Sequence, residues 1–353
     1  MSGMIYLLAE WPHKWCHEEG SEMMFDSLIK NNKINMSLED QNFVKALIAG
    51  DHTRTPHEKK FLFDIIANKT NGLDVDKLDY LCRDTAVLNM RMMVSLMSLH
   101  RLLSGARVDP QTGHICYIDK DILTVETFFL HRRYLHNNLY NHKTVTAIGY
   151  MIGDAFIAAD NYMKLSEAIY DPERYITLDD HIMKQIKESD CPELAESRKI
   201  LERITSRDLY RKAGSRMIRC SDFPRIRAYV TPDRIAEATI LCSEKMDSKD
   251  QEIASVLQPS DIIVHFSSRH FGMGEQNPMD ILKFYSRDNL NDFHSARSTG
   301  QYDPQEPVCQ HFLLVFVKQE KFLEVVKAGY KQIEENFIEH KVAESSPPAI
   351  DSA

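Results

Sequence analysis

Three side chains in the stretch "DVDKLDYLCRD" have the types and the spacing of a ligand-binding helix face. On a helix, Asp76, Tyr80 and Asp84 recur every four residues and therefore share one side, with Lys77 next to them. A carboxylate such as Asp76 suits a hard or borderline divalent metal, and a lysine suits a phosphate oxygen. The tyrosine ring and the second carboxylate suit a sugar, through packing and hydroxyl hydrogen bonds.

The same stretch also fits a solvated, charged helix face. In that interpretation Tyr80 is half-buried, and Asp79 and Arg83 form an exposed pair one turn apart. Such pairs are common on surface helices and contribute only about 0.3–0.5 kcal/mol each. The spacing alone leaves both interpretations open.

A second polar row lies in "FFLHRRYLHNNLYNHK". Arg132, His136 and Tyr140 are again spaced by four, and guanidinium and imidazolium groups both donate hydrogen bonds to phosphate. Further positive charge lies nearby, on Arg133, His142 and Lys143. The alternative is a helix that packs through its Leu and Phe side chains and has a basic outer surface. Together, the acidic and the basic helix favour a site for a nucleotide with metal-bound phosphates.

A third candidate is His17, in "KWCHEEGS". A single histidine near the start of a helix is also an ordinary structural residue, so the sequence leaves its role open.

The composition indicates which elements position these rows. The chain has 353 residues, of which 43% are hydrophobic and 27% charged, values typical of a soluble globular protein. This length exceeds the roughly 250–300 residues that one core serves, which favours a main domain and a smaller one. Only 13 Gly and 13 Pro occur, which favours helices over strands and turns. We therefore predict a mainly α fold with a smaller C-terminal α+β lobe.

Several classes of function are disfavoured. A net charge of -9 argues against a generally nucleic-acid-binding surface, although a local basic groove, such as one on the helix over 128–143, leaves an anionic ligand or nucleic acid as an open alternative. The seven cysteines form no CxxC pair, so neither a zinc ribbon nor a disulfide framework is predicted, and a reducing compartment is favoured. No run approaches the roughly 18 apolar residues of a membrane span, and no signal peptide is predicted.

The pattern changes near residue 219. Before it, helical spacing dominates and continues through residues 192–214. The exception is a predicted hairpin around "ARVDPQTGHICYI". After it, a helix is predicted for 321–340, and strands are predicted for 226–230, 237–242, 261–272 and 311–318. We expect a helical domain over 1–218, an α+β lobe over 219–340 and a disordered polar tail over 341–353.

Several motifs occur in the order of a known family. These are "WCHEEGSEMMFDSLI", "NGLDVDKLDYLCRD", "HRRYLHNNLYNHK", "GDAFIAADNY" and "HFGMGEQNPMDILKFYSRD". The chain resembles, from about residue 10 to about residue 340, the SAM- and HD-domain deoxynucleoside triphosphate triphosphohydrolases of vertebrates. The resemblance implies an HD-type helical core, cleavage of dNTPs to deoxynucleoside and triphosphate, and a tetramer assembled by GTP and dNTP effectors. It also implies nuclear residence, with the cytoplasm as the alternative, since no basic localisation run is evident.

The resemblance implies roles for individual residues. Asp76 corresponds to the last metal-ligating aspartate, Lys77 to a phosphate contact, and Tyr80 and Asp84 to the contacts that recognise the sugar. His17 corresponds to an active-site histidine. The substrate-facing row of the next long helix corresponds to Arg132, His136, Tyr140 and, with a changed residue type, Asn141.

Effector nucleotides are the second implied ligand. The positions that would contact them are Lys120, His142, Lys143, Arg207 and Arg211. Four others depart from the family, because Ser98, Leu102, Ile118 and Asn138 replace Arg, an aromatic residue, Arg and Arg. These changes remove bidentate phosphate contacts, so nucleotide-driven tetramerisation is in doubt.

The metal site departs further from the family. Its adjacent His-Asp pair is absent from the sequence, as is the SAM domain, and Asp76 is one ligand out of four. Metal-assisted hydrolysis needs enough ligands to hold the ion and lower the pKa of its water. We therefore expect that this chain does not retain the divalent metal (Fe, Zn or Mg type) and is a poor hydrolase. The alternative is a non-catalytic paralogue or short isoform that binds nucleotide or associates with full-length family members.

Overall fold

Helices account for most of the described elements. The computed structural model describes residues 15–302 and 308–345, and side-chain burial through residue 337. The prediction of a mainly α fold is confirmed. In chain order the helices are α1 (His17–Asn31), α2 (Leu38–Ala49), α3 (Lys60–Ile66), α4 (Val75–Val87), α5 (Leu96–Ser104), α6 (Ile122–Leu135), α7 (Lys143–Met163), α8 (Leu165–Ala168), α9 (Pro172–Tyr175), α10 (His181–Glu188), α11 (Ala195–Thr205), α12 (Phe223–Tyr229), α13 (Pro232–Ser243), α14 (Ser248–Ser255), α15 (Pro278–Ile281) and α16 (Leu323–Ser345).

Seven strands form two small sheets in the described residues. They are β1 (Arg107–Val108), β2 (Ile115–Ile118), β3 (Arg211–Ile218), β4 (Ile262–His270), β5 (Lys283–Tyr285), β6 (Phe293–Ser295) and β7 (Cys309–Val317). One sheet has the order β1-β2-β5-β6, and the other has the order β3-β7-β4. The antiparallel pairing of β1 with β2 confirms the predicted hairpin.

The chain divides into two compact units that are not contiguous in sequence. Unit 1 comprises residues 1–140, 152–202 and 269–309, and unit 2 comprises residues 141–151, 203–268 and 310–353. The predicted domain boundary at residue 218 stays a prediction. Helix α16 continues to Ser345, and the rest of the predicted tail, residues 346–353, lies outside the described residues.

Unit 1 has an apolar core built on α6. Phe128 and Phe129 are each 1% exposed, and their rings meet edge to face. They pack in one cluster with Leu81 of α4 and with Phe284 of β5. This cluster fixes α4 and α6, the two helices that carry the polar rows.

Unit 2 packs α13 and α16 against its sheet. Ile235 of α13, Val315 of β7 and Val326 of α16 are completely buried in one cluster. Gly329 lies where α16 meets Thr239, and a Cβ at this position would collide with the Thr239 backbone. The two helices can approach this closely because Gly329 has no side chain.

Two predicted strands are helices. Residues 226–230 fall on α12 and its end, and residues 237–242 fall within α13. The β-branched residues there suggested strands. However, Thr231 caps the start of α13 by accepting from the Arg234 N–H, and Pro232 occupies the first turn, so local signals for a helix prevail.

The prediction of a helix over residues 211–214 is also wrong. These residues form the start of β3. Helix α11 ends at Thr205, and Arg211 onward pairs with β7. The predicted strands over 261–272 and 311–318 are confirmed as β4 and β7. Among the described residues, no helix is both long and apolar enough to cross a membrane.

Candidate functional site

The start of α4 is held by a buried carboxylate. Asp74 is 4% exposed and accepts hydrogen bonds from the Lys77 N–H (3.1 Å), the Lys77 ammonium (2.7 Å) and the Asn68 N–H (3.1 Å). The preceding turn contains Gly72 at φ 76°, a left-handed conformation that suits glycine. The Lys77 side chain is therefore fixed at the first turn of α4, with its charge already paired.

Asp76 lies in the same turn but is exposed. Negative charge in the first turn of a helix is favoured by the helix dipole, with or without a metal. Among the described residues, Asp76 belongs to no group of three His, Cys, Asp or Glu side chains with ligand atoms within 4.8 Å of one another. The described residues around Asp76 therefore do not fit a divalent metal.

One turn and two turns further along α4, the polar row meets α6 and the segment after it. The Tyr140 hydroxyl donates to Asp84 Oδ2 at 2.6 Å. The Tyr140 ring lies 6.2 Å from the Tyr80 ring at 73° and 4.9 Å from the His136 ring at 65°. The structure thus brings the sugar-type and the phosphate-type candidates of the two rows together.

The second row crosses a change of helix type. Residues His136–Tyr140, directly after α6, form a π-helix. Four residues of an α-helix overshoot a full turn by about 40°, whereas four residues of the wider π-helix fall short of one, so the two deviations offset each other along the row. π-helical turns frequently occur at functional sites.

Arg132 joins the row to a glycine-containing loop that follows β4. Its guanidinium donates to the His270 carbonyl at 2.7 Å. The N–H groups of Gly272 and Gly274 donate in turn to His270 Nδ1, at 2.9 and 3.2 Å. Gly272 has φ 122° and Gly274 has φ 63°, values that other residues rarely adopt. The loop therefore sets the direction of the Arg132 guanidinium.

The sequence interpretation placed no site residue in this loop. Its signal was present in the "HFGMGEQNP" motif, where two closely spaced glycines follow a predicted strand. Gly72, before α4, comes within van der Waals reach of the same loop, since a Cβ there would lie 3.5 Å from Met273 Sδ.

The electrostatics of the cluster favour an uncharged histidine. Burial is the largest of the causes that lower the pKa of His136 to about 3. The positive charge of Arg132 and the neighbouring His270 lower this pKa further. Burial raises the pKa of Tyr80, and the Arg132 guanidinium partly opposes this rise. Burial and the hydrogen bond to Asp84 raise the pKa of Tyr140. At neutral pH the positive charge of the cluster therefore comes from Arg132 and not from His136.

Two further residues were predicted at the substrate site, His17 and Asn141. The imidazole of His17 is 58% exposed and lies 3.3 Å from the Glu18 carboxylate. Asn141 is the first residue of unit 2. The roles predicted for both stay predictions.

The predicted effector residues fall in both units. Unit 2 contains a cavity of about 380 Å³, lined by Lys143, Thr144, Arg207, Leu209, Arg211 and Lys212, among others. It holds three of the five predicted effector residues and adds Lys212, which the sequence interpretation omitted. Lys120 is an exposed residue of unit 1, and the ring of His142 accepts from the Thr144 N–H at 3.3 Å.

The four departures from the family have structural roles in unit 1. Leu102 and Ile118 are 1% and 7% exposed, and Asn138 donates to the Tyr134 carbonyl at 2.9 Å. Ser98 lies 2.9 Å from Ser95 at the start of α5.

A guanidinium nevertheless occurs on α5. Arg101 lies 2.9 Å from Asp121 and donates to Thr124 at 3.2 Å. The sequence interpretation did not consider this residue.

Comparison with curated proteins found relatives of one enzyme class. The chain is 31% identical over 351 residues to the deoxynucleoside triphosphate triphosphohydrolase SAMHD1 of Bos taurus, a match that covers 90% of this chain and 58% of that protein. It is 29% identical over 326 residues to the SAMHD1 homolog of Dictyostelium discoideum, a match that covers 91% of this chain and 58% of that protein. The putative HD domain-containing protein L394 of Acanthamoeba polyphaga mimivirus is 29% identical over 177 residues, or 50% of this chain and 37% of that protein. No family model matches the chain.

The two SAMHD1 matches cover about nine-tenths of the chain and therefore include parts of both units. The chain spans about half the length of the curated relatives that it matches. The resemblance carried by its motifs is confirmed: the chain is a relative of the SAMHD1 deoxynucleoside triphosphate triphosphohydrolases.

Proposed function

We propose that this chain binds a deoxynucleoside triphosphate at the cluster of α4 and α6. The observation that supports this most directly is the hydrogen bond from Tyr140 to Asp84, beside the Tyr80 ring. A carboxylate held in this way has a second oxygen for a sugar hydroxyl. The names of the relatives make dNTP the substrate class to propose.

Each side chain of the cluster has a separate task in this proposal. Asp84 accepts from the 3′-hydroxyl of the sugar, and the Tyr80 ring packs against the sugar face, where a 2′-hydroxyl would be crowded. Arg132 donates to phosphate oxygens, because guanidinium groups match phosphate geometry. Lys77 contributes positive charge from the first turn of α4, although Asp74 shares that charge. Selectivity for deoxyribose would thus come from the shape of the site around the sugar. Phosphate binding would come from Arg132.

We propose further that the isolated chain hydrolyses dNTPs poorly or not at all. The class of its relatives suggests a divalent metal, and Asp76 is the residue of this chain that would be a ligand. The described residues supply no second and third ligand beside it. Binding without efficient hydrolysis is therefore the expected behaviour of this chain, and the non-catalytic alternative is retained. Effector binding, association with another copy or a full-length relative, and nuclear residence stay proposals that rest on the resemblance.

The first prediction tests binding without relying on hydrolysis. Asp84→Asn should weaken dGTP binding by about tenfold, because the hydroxyl acceptor and the partner of Tyr140 are both weakened. Isothermal titration calorimetry of the purified chain with dGTP and with GTP measures the loss and the selectivity for deoxyribose.

Asp79→Asn is the matched control. It removes the same charge from the same helix, but Asp79 pairs with Arg83 on the exposed side. Equal affinity for dGTP in all three proteins would contradict the proposed site. Triphosphate release by the wild-type chain that is lost in Asp76→Ala would contradict the proposal of poor hydrolysis.

A further inference from the structure

Unit 1 contains a small cavity that the proposed function does not use. Its volume is about 170 Å³, below the roughly 300–1,000 Å³ of pockets for drug-sized ligands. It therefore has room for a small ion or headgroup and not for a nucleotide. Its polar lining consists of His52, Lys60, Asp64, Lys69, Thr70 and His114.

A buried carboxylate orients one histidine of this cavity. Asp64 is 2% exposed and lies 3.0 and 3.1 Å from Nδ1 of His114 through its two oxygens. It also accepts from the Ile115 N–H at 2.9 Å. With Nδ1 engaged by the carboxylate, Nε2 of His114 is the ring nitrogen available to a ligand. No partner is recorded for Nε2 within the described part of the chain.

The aliphatic parts of two lysine side chains pack against glycine backbone at the same cavity. A Cβ on Gly113 would lie 3.8–4.0 Å from the methylenes of Lys60. A Cβ on Gly50 would lie 3.0 Å from two carbons of Lys69 and 2.6 Å from the Ala67 carbonyl. Both glycines have positive φ, 76° and 66°, so other residues are disfavoured there for backbone reasons as well.

The charged side chains that line the cavity favour an anionic ligand. Asp64 is already satisfied by His114 and Ile115, and Lys60 has no ion pair in the part of the chain that the structure describes. Lys69 has a long contact of 3.7 Å with Glu18, and its side chain is 62% exposed. Such exposed pairs are weak and exchange readily with a better acceptor.

We propose that this cavity binds a small phosphate group, as inorganic phosphate or as a phosphomonoester. A phosphate that keeps one P–OH group has oxygens that accept from both ammonium groups and a hydroxyl that donates to Nε2 of His114, whose Nδ1–H donates to Asp64. An ionised carboxylate has no hydroxyl and would leave Nε2 of His114 without a partner. Phosphate is therefore favoured over a carboxylate as the ligand class.

Calorimetric titration of the full chain with inorganic phosphate, in a phosphate-free buffer, tests this site. Wild-type protein should bind one equivalent saturably, and Lys60→Gln and His114→Gln should each weaken binding by about tenfold. Lys60→Arg should retain binding because it keeps the charge. Titration with O-phosphoserine in parallel distinguishes a monoester from free phosphate as the preferred ligand.

Lys184→Gln is the matched control for Lys69→Gln. Lys184 is 64% exposed and lies 3.7 Å from Glu188, which closely matches the exposure and pairing of Lys69. Lys69→Gln should weaken phosphate binding, and Lys184→Gln should not. No saturable binding by wild type up to about 10 mM phosphate, or equal weakening in both variants, would overturn the proposal. Because dGTP binds elsewhere in the proposed function, these variants should bind dGTP normally, so the two proposals can fail separately.

Discussion

At the scale of the residue, the cluster on α4 and α6 depends on how burial distributes charge. His136 is held neutral by burial and by the positive charge of Arg132, so Arg132 is the cation of the cluster. A neutral imidazole can donate one hydrogen bond and accept another, which suits a position between a sugar and a phosphate chain. The residue types alone predicted a second positive charge at this position.

The depressed pKa of His136 predicts a pH-dependent stability. The pKa is about 3 in the folded chain and about 6.5 in the unfolded chain, so between these values the unfolded state binds more protons. The free energy of unfolding should therefore fall as the pH decreases from about 6.5, by up to about 1.4 kcal/mol per pH unit from this residue. Urea unfolding between pH 4.5 and 7.5 measures the slope.

His136→Gln should have a shallower slope over the same interval, since glutamine does not titrate. The difference between the two slopes isolates this residue from the other histidines. Identical slopes for wild type and variant would show that the pKa of His136 is the same in the folded and the unfolded chain.

At the scale of the element, the position of α4 depends on its N-cap residue, Asp74. Asp74 caps the helix, holds the Lys77 ammonium and anchors the preceding turn through the Asn68 N–H. A mutation there loses a cap and also leaves a half-buried ammonium without its partner. The position of the polar row on α4 follows from this one carboxylate.

Asp74→Ala should therefore destabilise the chain by about 2–4 kcal/mol, because loss of the cap and of charged hydrogen bonds add. Asp247→Ala is the matched control: Asp247 caps α14 by accepting from the Asp250 N–H at 2.9 Å and is exposed. It should cost only about 1 kcal/mol. Equal changes in the free energy of unfolding, measured with urea, would mean that the Lys77 and Asn68 contacts contribute nothing.

At the scale of the whole molecule, each unit contains a group of polar side chains that includes a guanidinium. The cluster on α4 and α6 belongs to unit 1, and the cavity lined by Lys143, Arg207 and Arg211 belongs to unit 2. The 380 Å³ cavity falls within the size range of small-molecule sites. We expect it to bind a nucleotide through its phosphates.

Arg207→Gln should weaken GTP binding by about tenfold, because one of the cavity's guanidinium groups is lost. Fluorescence anisotropy with a labelled GTP analogue measures this loss. Arg227→Gln, on the exposed side of α12, is the control that should leave binding unchanged. Equal anisotropy curves for the three proteins would contradict an effector role for the cavity.

Sedimentation velocity should show no tetramer on GTP addition. The reason is that Leu102 and Ile118 are core residues at positions where the resemblance implies an aromatic side chain and an arginine.

Local patterns were sufficient for several features of this protein. The mainly α fold, α4, the hairpin of β1 and β2, and the strands β4 and β7 follow from spacing, turn residues and apolar runs that act over a few neighbours. The spacing of Asp76, Tyr80 and Asp84, with that of Arg132, His136 and Tyr140, identified both polar rows. The motifs identified the relatives. All of these signals are short-range, so a linear sequence retains them.

Other features depend on contacts between distant residues. The bond between Tyr140 and Asp84, the π-helical segment at His136–Tyr140 and the loop of His270 behind Arg132 arise only when separate segments pack together. Burial, which sets the pKa of His136, is likewise a property of the packed core. The helices α12 and α13, predicted as strands, show capping prevailing over β propensity. The sequence by itself determined which side chains form the two polar rows. The tertiary structure decided which of them meet and with what charge, because both depend on packing across the chain.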